Sequence, residues 1–221
     1  MLTNDVSLEG FLRVNWEIYQ RTDDRHYTSA DIISYVHRNI THILKAVRKE
    51  RHAEVNYRIC VTLSWVGSLA CRLHIDVANE IWKRFPGCCP YCGGTVCFCK
   101  ERAATRQTVA PATPRPVSLR DWQYLFAAIY PRNTLQDSTM HLAEEIGELS
   151  EAFRNFLASH SDEWFSNIAE ETVDIFANLF GIANCLHFDI ASSLAEYFRK
   201  GCLKCQQCPC NCGYVTIDKP I

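Results

Sequence analysis

No apolar run in these 221 residues approaches the roughly 18 consecutive apolar residues that a membrane-spanning helix needs. The best candidate, Val173 to Leu186, is broken by Asp174, Asn178 and Asn184. An excess of one charge is also lacking: 23 Lys+Arg against 25 Asp+Glu leave a net charge of −2, which argues against nucleic-acid binding by bulk electrostatics. Nine Gly and eight Pro are too few for a collagen-like or low-complexity chain. A hydrophobic share of 48% with 22% charged residues excludes a wholly disordered one. The start, Met1-Leu2-Thr3-Asn4-Asp5-Val6, lacks the basic-then-apolar order of a secretory leader, so a cytoplasmic protein without a membrane partner is the expectation. No stretch alternates apolar and polar residues as a half-buried strand does. Cysteine, by contrast, is abundant, at 13 residues.

Eight of those cysteines fall into two short segments. Cys89-Pro90-Tyr91-Cys92 is followed after four residues by Cys97-Phe98-Cys99, and Cys202-Leu203-Lys204-Cys205 is followed after four residues by Cys210-Asn211-Cys212. Both read C-x-x-C-x4-C-x-C. In a reducing compartment, clustered cysteines bind metal more often than they pair as disulfides. Thiolate pairs at C-x-x-C spacing, with Pro90 and Gly93 making a turn, suit tetrahedral Zn²⁺. The expectation is one Zn²⁺ on Cys89, Cys92, Cys97 and Cys99 and another on Cys202, Cys205, Cys210 and Cys212. C-x-C is a tight chelate, which leaves open whether all four thiolates of a segment meet one ion. Disulfides, free thiols and an iron–sulfur cluster are the alternatives. Cys88 and Cys208 are spare ligands beside the sets, and Cys60, Cys71 and Cys185 sit in apolar helical stretches as small core residues.

The two segments lie 113 residues apart, and the same offset aligns Leu73-His74-Ile75-Asp76 with Leu186-His187-Phe188-Asp189 and Phe85 with Phe198. Ile18-Tyr19-Gln20-Arg21 resembles Ile129-Tyr130-Pro131-Arg132 at an offset of 111, and Ile40, Ala46 and Arg48 fall opposite Ile146, Ala152 and Arg154 at 106. Changed offsets mean changed loop lengths, as surface turns tolerate. The chain therefore reads as one unit written twice, over 5–100 and 118–213, with a Pro/Ala/Thr linker at 101–117 and a tail at 214–221. Each unit reads as helical. Leu142, Ile146, Leu149, Phe153 and Phe156 form one stripe of an amphipathic helix, for which Asp137 or Ser138 is the expected cap. A second helix runs from Ser161-Asp162 to Leu186. The step through His187 to an N-cap at Asp189 opens a shorter helix, Ile190 to Lys200. The fold class is all-α, a helix bundle.

The second unit carries the chemistry. Glu145 and Glu148 are i, i+3 neighbours on one helix, and Glu171 and Asp174 on the next. Antiparallel packing of these helices gathers four carboxylates, and such a cluster repels itself, takes up protons or binds a hard cation such as Mg²⁺ (or Mn²⁺). Asp174 sits among Val173, Ile175 and Phe176, where an acid requires a partner.

E-x-x-E followed by E-x-x-D on consecutive helices resembles the MazG-like, all-α nucleoside triphosphate pyrophosphohydrolases. The strings His141-Leu142-Ala143-Glu144-Glu145-Ile146-Gly147-Glu148-Leu149-Ser150-Glu151-Ala152 and Glu170-Glu171-Thr172-Val173-Asp174-Ile175-Phe176-Ala177-Asn178-Leu179 look like that family's two motif helices. The resemblance covers about 118–200. It implies that Glu145, Glu148, Glu171 and Asp174 hold Mg²⁺ on a nucleoside triphosphate, which is split into a monophosphate and pyrophosphate. Glu144 or Glu170 would orient or deprotonate the water, and Asn178, Arg199, Lys200 and Lys204 are candidates to line the pocket or meet phosphate.

Opposite the four acids the first unit has Asn39, His42, Arg58 and Val61. The expectation is a degenerate partner without Mg²⁺ and one active site per chain, the two units forming an intrachain pseudo-dimer that can pair further into a homo-oligomer. Arg48, Arg51 and Arg58 are candidates to approach the substrate from the first unit. The rival readings are a zinc-stapled nucleotide-binding or protein-interaction regulatory module without turnover, and a di-iron carboxylate bundle. The latter expects Glu-x-x-His pairs that neither motif helix has.

Overall fold

The computed structural model describes residues 2–99, 110–111 and 113–213. Most of the expected 101–117 linker and all of the 214–221 tail lie outside the described residues. Among the described residues there are eight helices and no strand: α1 (Leu8–His26), α2 (Ser29–Arg48), α3 (His52–Arg72), α4 (Val77–Arg84), α5 (Leu119–Ile129), α6 (Leu135–Ser159), α7 (Asp162–Cys185) and α8 (Ile190–Tyr197). The chain is all-α, as its periodicity implies. No single helix is long and apolar enough to cross a membrane.

Side-chain caps set every helix start but that of α3. Ser7 and Ser118, each accepting from the backbone N–H three residues on, open α1 and α5. Thr28 with Asp31 and Thr134 with Asp137 form reciprocal capping boxes at the heads of α2 and α6. Helix α6 thus begins earlier than expected. Asp137 is not its cap but the third helical residue, which accepts from the Thr134 N–H at 3.0 Å. Asp76 and Asp189 cap α4 and α8, each after a histidine in the left-handed region, His74 at φ 56° and His187 at φ 59°. Helix α8 stops at Tyr197, short of the expected Lys200.

The hairpins α2–α3 and α6–α7 each pack antiparallel, and α3 and α7 meet at the centre. Phe176, Leu179 and Phe180 of α7 and Ile59 and Leu63 of α3 are fully buried. Each contributes about 1.5–3 kcal/mol by leaving water. Phe126 of α5 stacks on Phe180 at 5.6 Å.

The two halves then cross over. Helix α4 packs on α7 and α8 packs on α3, so each short helix leaves its own half. The cysteine segments follow them. Cys97 N–H donates to Ile129 at 2.7 Å, and Cys210 N–H donates to Ile18 at 2.6 Å. Phe85 meets Tyr130 edge-on at 6.4 Å, and Phe198 meets Tyr19 at 6.3 Å. This exchange decides which residues reach which cleft.

Candidate metal centres

Glu145 and Glu148 of α6 and Glu171 of α7 bring one carboxylate oxygen each to within 4.8 Å of one another. Oxygens around one octahedral Mg²⁺ lie roughly 3–4.2 Å apart, so the three need close only slightly on an ion. Two further observations fit a cation. Glu171 Oε2 is buried without a hydrogen-bond partner, a costly arrangement unless something positive completes it. Burial, and after it the charge of Asp174, pushes Glu145 up to about 9. Burial pushes Glu171 up to about 7. Without a cation the pair therefore retains a proton that a metal would displace.

Asp174, expected as the fourth ligand, lines the same cleft as Glu145 and Glu148 but is not among the three whose oxygens converge. It is 4% exposed, and Arg84 takes it with both arms of its fork. Nε donates to Oδ1 at 2.6 Å, and Nη2 pairs with Oδ2. The same guanidinium donates from Nη1 to Glu170 Oε2 at 3.2 Å. Burial works against the Arg84 charge, but Asp174 beside it keeps the guanidinium protonated. Arg84 belongs to α4, in the other half of the chain, and no local pattern in the sequence singles it out.

Glu144 lines the cleft, with Oε2 3.0 Å from His141 Nδ1. Asn178 also lines it, donating to the Asp174 carbonyl at 3.0 Å and to Glu145 Oε1 at 3.5 Å. The cleft holds about 770 Å³, and Tyr91, Tyr130 and the first cysteine segment close it on one side. Arg199 and Lys200 do not line it. Both are exposed, and Lys200 donates to Gln206 at 3.4 Å. They follow α8, which the crossover carries onto α3. Lys204 lines a different pocket. Nor do the first half's expected arginines reach the acids: Arg51 pairs with Glu54 at 3.4 Å and Arg58 donates to Asn39 at 3.1 Å.

The cysteine segments gather as their spacing implies. All four sulfurs of each set lie within 4.8 Å of one another, so the C-x-C pair does join its C-x-x-C. Cys89 and Cys99 are 3.6 Å apart, Cys202 and Cys212 3.8 Å, and Cys205 and Cys210 3.9 Å. Tetrahedral sulfurs at a Zn–S distance of 2.3 Å would lie about 3.8 Å apart. None of the 13 cysteines is in a disulfide. Burial opposes ionisation of Cys92 and Cys205, but backbone N–H donors outweigh it. Phe98 and Gly94 bring Cys92 down to about 7, and Asn211 and Gln207 bring Cys205 down to about 6. Each segment thus offers one ready thiolate to a soft or borderline cation, and the geometry does not identify the metal. Cys60 is fully buried in the core.

Comparison of the chain with protein-family models, with curated proteins and with solved structures gives no match to any of them.

Proposed function

We propose that the protein is a Mg²⁺- or Mn²⁺-dependent nucleoside triphosphate pyrophosphohydrolase of MazG-like type, with its single active site in the cleft between α6 and α7. The carrying observation is the carboxylate triad Glu145, Glu148 and Glu171, whose oxygens converge within 4.8 Å beside a cleft large enough for a nucleotide. The recurrence of caps and cysteine segments in the same order, at offsets of 106 to 113, supports reading the halves as two copies of one unit, the first without the acids.

Bound at the triad, the cation supplies charge neutralisation on the triphosphate and a lowered pKa for an attacking water. Water adds to the α-phosphorus, the bond to the β-phosphate oxygen breaks, and pyrophosphate leaves. The chain's own groups divide the remaining work. Glu144 lines the cleft, meets His141 and is not held by Arg84, which supports it as the carboxylate that takes the water's proton. Glu170 spends its carboxylate on Arg84. The Arg84–Asp174 pair holds α4 against α7 and positions the wall of the site rather than an ion. Asn178, anchored on the Asp174 carbonyl, orients Glu145. The cysteine segments, each loaded with one Zn²⁺, staple each half to the first helix of the other.

The test is pyrophosphate release over a panel of NTPs and dNTPs with Mg²⁺ or Mn²⁺, run beside Glu148→Gln. Release from wild type and none from the variant supports the reading. No release above the variant on any nucleotide transfers the protein to the rival class, a zinc-stapled binding module without turnover.

A further inference from the structure

A second cavity, of about 200 Å³, is lined by the first half's counterparts of the acidic site and, on another side, by Cys202, Lys204, Cys210 and Cys212 of the second cysteine segment. Asn39 stands where the other half has Glu145, Arg58 where it has Glu171, Val61 for Asp174 and Arg38 for Glu144. Even the crossover residue is exchanged. Tyr197 of α8 is the counterpart of Arg84, and it packs edge-on against Tyr57, the counterpart of Glu170, at 5.4 Å. The charge of the site is inverted, from four acids to two arginines, while the backbone frame is kept.

The replacement side chains suit a ligand rather than a filled-in core. Trp65 and Tyr35 stack face to face at 4.6 Å, and Tyr27 meets both edge-on. Asp23, 3% exposed, lines the cavity with Oδ2 lacking any hydrogen-bond partner. Arg58 Nε is likewise buried and unpartnered. A buried acceptor, an aromatic wall and an under-used guanidinium are complementary to one chemistry: a planar heterocycle with N–H donors, attached to an anion. The volume lies below the roughly 300–1,000 Å³ of drug-sized pockets, which suits a base inside with its phosphate at the mouth and leaves no room for a metal-bridged triphosphate.

We propose that this pocket is a second, metal-independent binding site for a nucleoside monophosphate, with the base against Trp65 and Tyr35, a base N–H on Asp23 Oδ2 and the phosphate on Arg58 and Arg38. The site does not depend on turnover at the acidic cleft. If that cleft does hydrolyse triphosphates, the ligand is of the product's class, and the first half becomes a product sensor rather than an inert prop.

The experiment measures binding of ribo- and deoxyribonucleoside 5′-monophosphates by calorimetry and tryptophan fluorescence. It uses full-length protein carrying Glu148→Gln, with no divalent cation added. At least one monophosphate is expected to bind, with about tenfold or greater weakening in Arg58→Ala and a changed base preference in Asp23→Asn. The free nucleoside and inorganic phosphate, each alone, are expected to bind at least about tenfold more weakly. Melting curves establish that the variants fold; if Arg58→Ala does not, Arg38→Ala, at a half-exposed position, takes its place. Binding of no monophosphate, binding unchanged in all these variants, or inorganic phosphate binding as well as the nucleotide would each overturn the proposal. Turnover lost in Glu148→Gln bears only on the acidic cleft, and binding kept in that same variant bears only on this pocket, so the two readings fail separately.

Discussion

The acidic cleft on α6–α7 and the basic pocket on α2–α3 rest on hairpins whose first helices start from matching Thr-x-x-Asp caps, yet they invite opposite charges. Glu145, Glu148 and Glu171 converge on one side, and Asn39, His42 and Arg58 occupy the corresponding positions on the other. A bundle hairpin is therefore neutral scaffolding, and a few side chains on its inner faces decide whether a cation or an anion completes it. The difference is sharpest at the crossover contact. Arg84 enters the acidic side and satisfies a buried carboxylate, while Tyr197 enters the other and packs on the Tyr57 ring.

The largest expected effect separates the two sides outright. Glu148→Gln removes a triad oxygen and should lower pyrophosphate release by about a thousandfold or more, while His42→Gln, at the counterpart position, should leave kcat within about twofold. Comparable losses in both variants would make the first half a working part of the active site and end the asymmetry.

The cysteine segments should show the opposite, equal behaviour. Cys92→Ser and Cys205→Ser each remove the most readily ionised thiol of a set. Each should cost about one equivalent of bound metal in elemental analysis and lower the melting temperature on the order of 10 °C, since structural metal binding is folding free energy. Wild-type protein carrying neither zinc nor iron would refute the metal assignment for both.

Arg84→Ala should destabilise by about 3–5 kcal/mol, because the buried Asp174 loses the guanidinium that neutralises it. Arg84→Tyr combined with Asp174→Val rebuilds the composition of the opposite contact. It should recover most of that stability in denaturant unfolding. Equal instability of the single and double variants would show that the two contacts are not interchangeable in kind.

Much of this was legible in the chain itself. Amphipathic stripes, the His-x-Asp steps and the two C-x-x-C-x4-C-x-C segments mark the helices, the turns and the four-sulfur groups, because each depends on neighbours within a few residues. The three converging glutamates were legible for the same reason, through i, i+3 spacing on consecutive helices. Arg84 was not, and neither was the displacement of Arg199 and Lys200, because both follow from α4 and α8 crossing between halves. Sequence spacing carries no mark of that exchange. Asp174 illustrates the limit well: its apolar neighbours require a partner, and the partner lies 90 residues away on another helix. Thr134 is the nearer miss: the Thr-x-x-Asp pattern that starts α6 is present, and neither Asp137 nor Ser138 is the cap, Asp137 being the third-position partner of Thr134.

The smallest effect to be read is the pH dependence of stability without divalent cations, and it too differs between the halves. Burial first, and neighbouring charge after it, raises Glu145 to about 9 and Glu171 to about 7. In the basic pocket, burial raises Asp23 to about 6, against the pull of Ser68 and Arg72. A carboxyl that holds its proton more tightly in the folded chain stabilises the fold fully below its unfolded value of about 4. That contribution is lost as pH climbs through the folded value. The Asp23 contribution is thus spent near pH 6, and of these three carboxyls only the two in the acidic cleft still titrate between pH 7 and 9. With the cysteine segments metal-loaded and no free divalent cation added, the melting temperature should fall by a few degrees across that upper window. Glu145→Gln should flatten the fall, Asp23→Asn should leave it unchanged, and added Mg²⁺ should stabilise more at pH 9 than at pH 6 as it displaces fewer protons. A slope that survives Glu145→Gln would mean that the shared proton is not held at the triad, and with it would go the electrostatic case for a cation there.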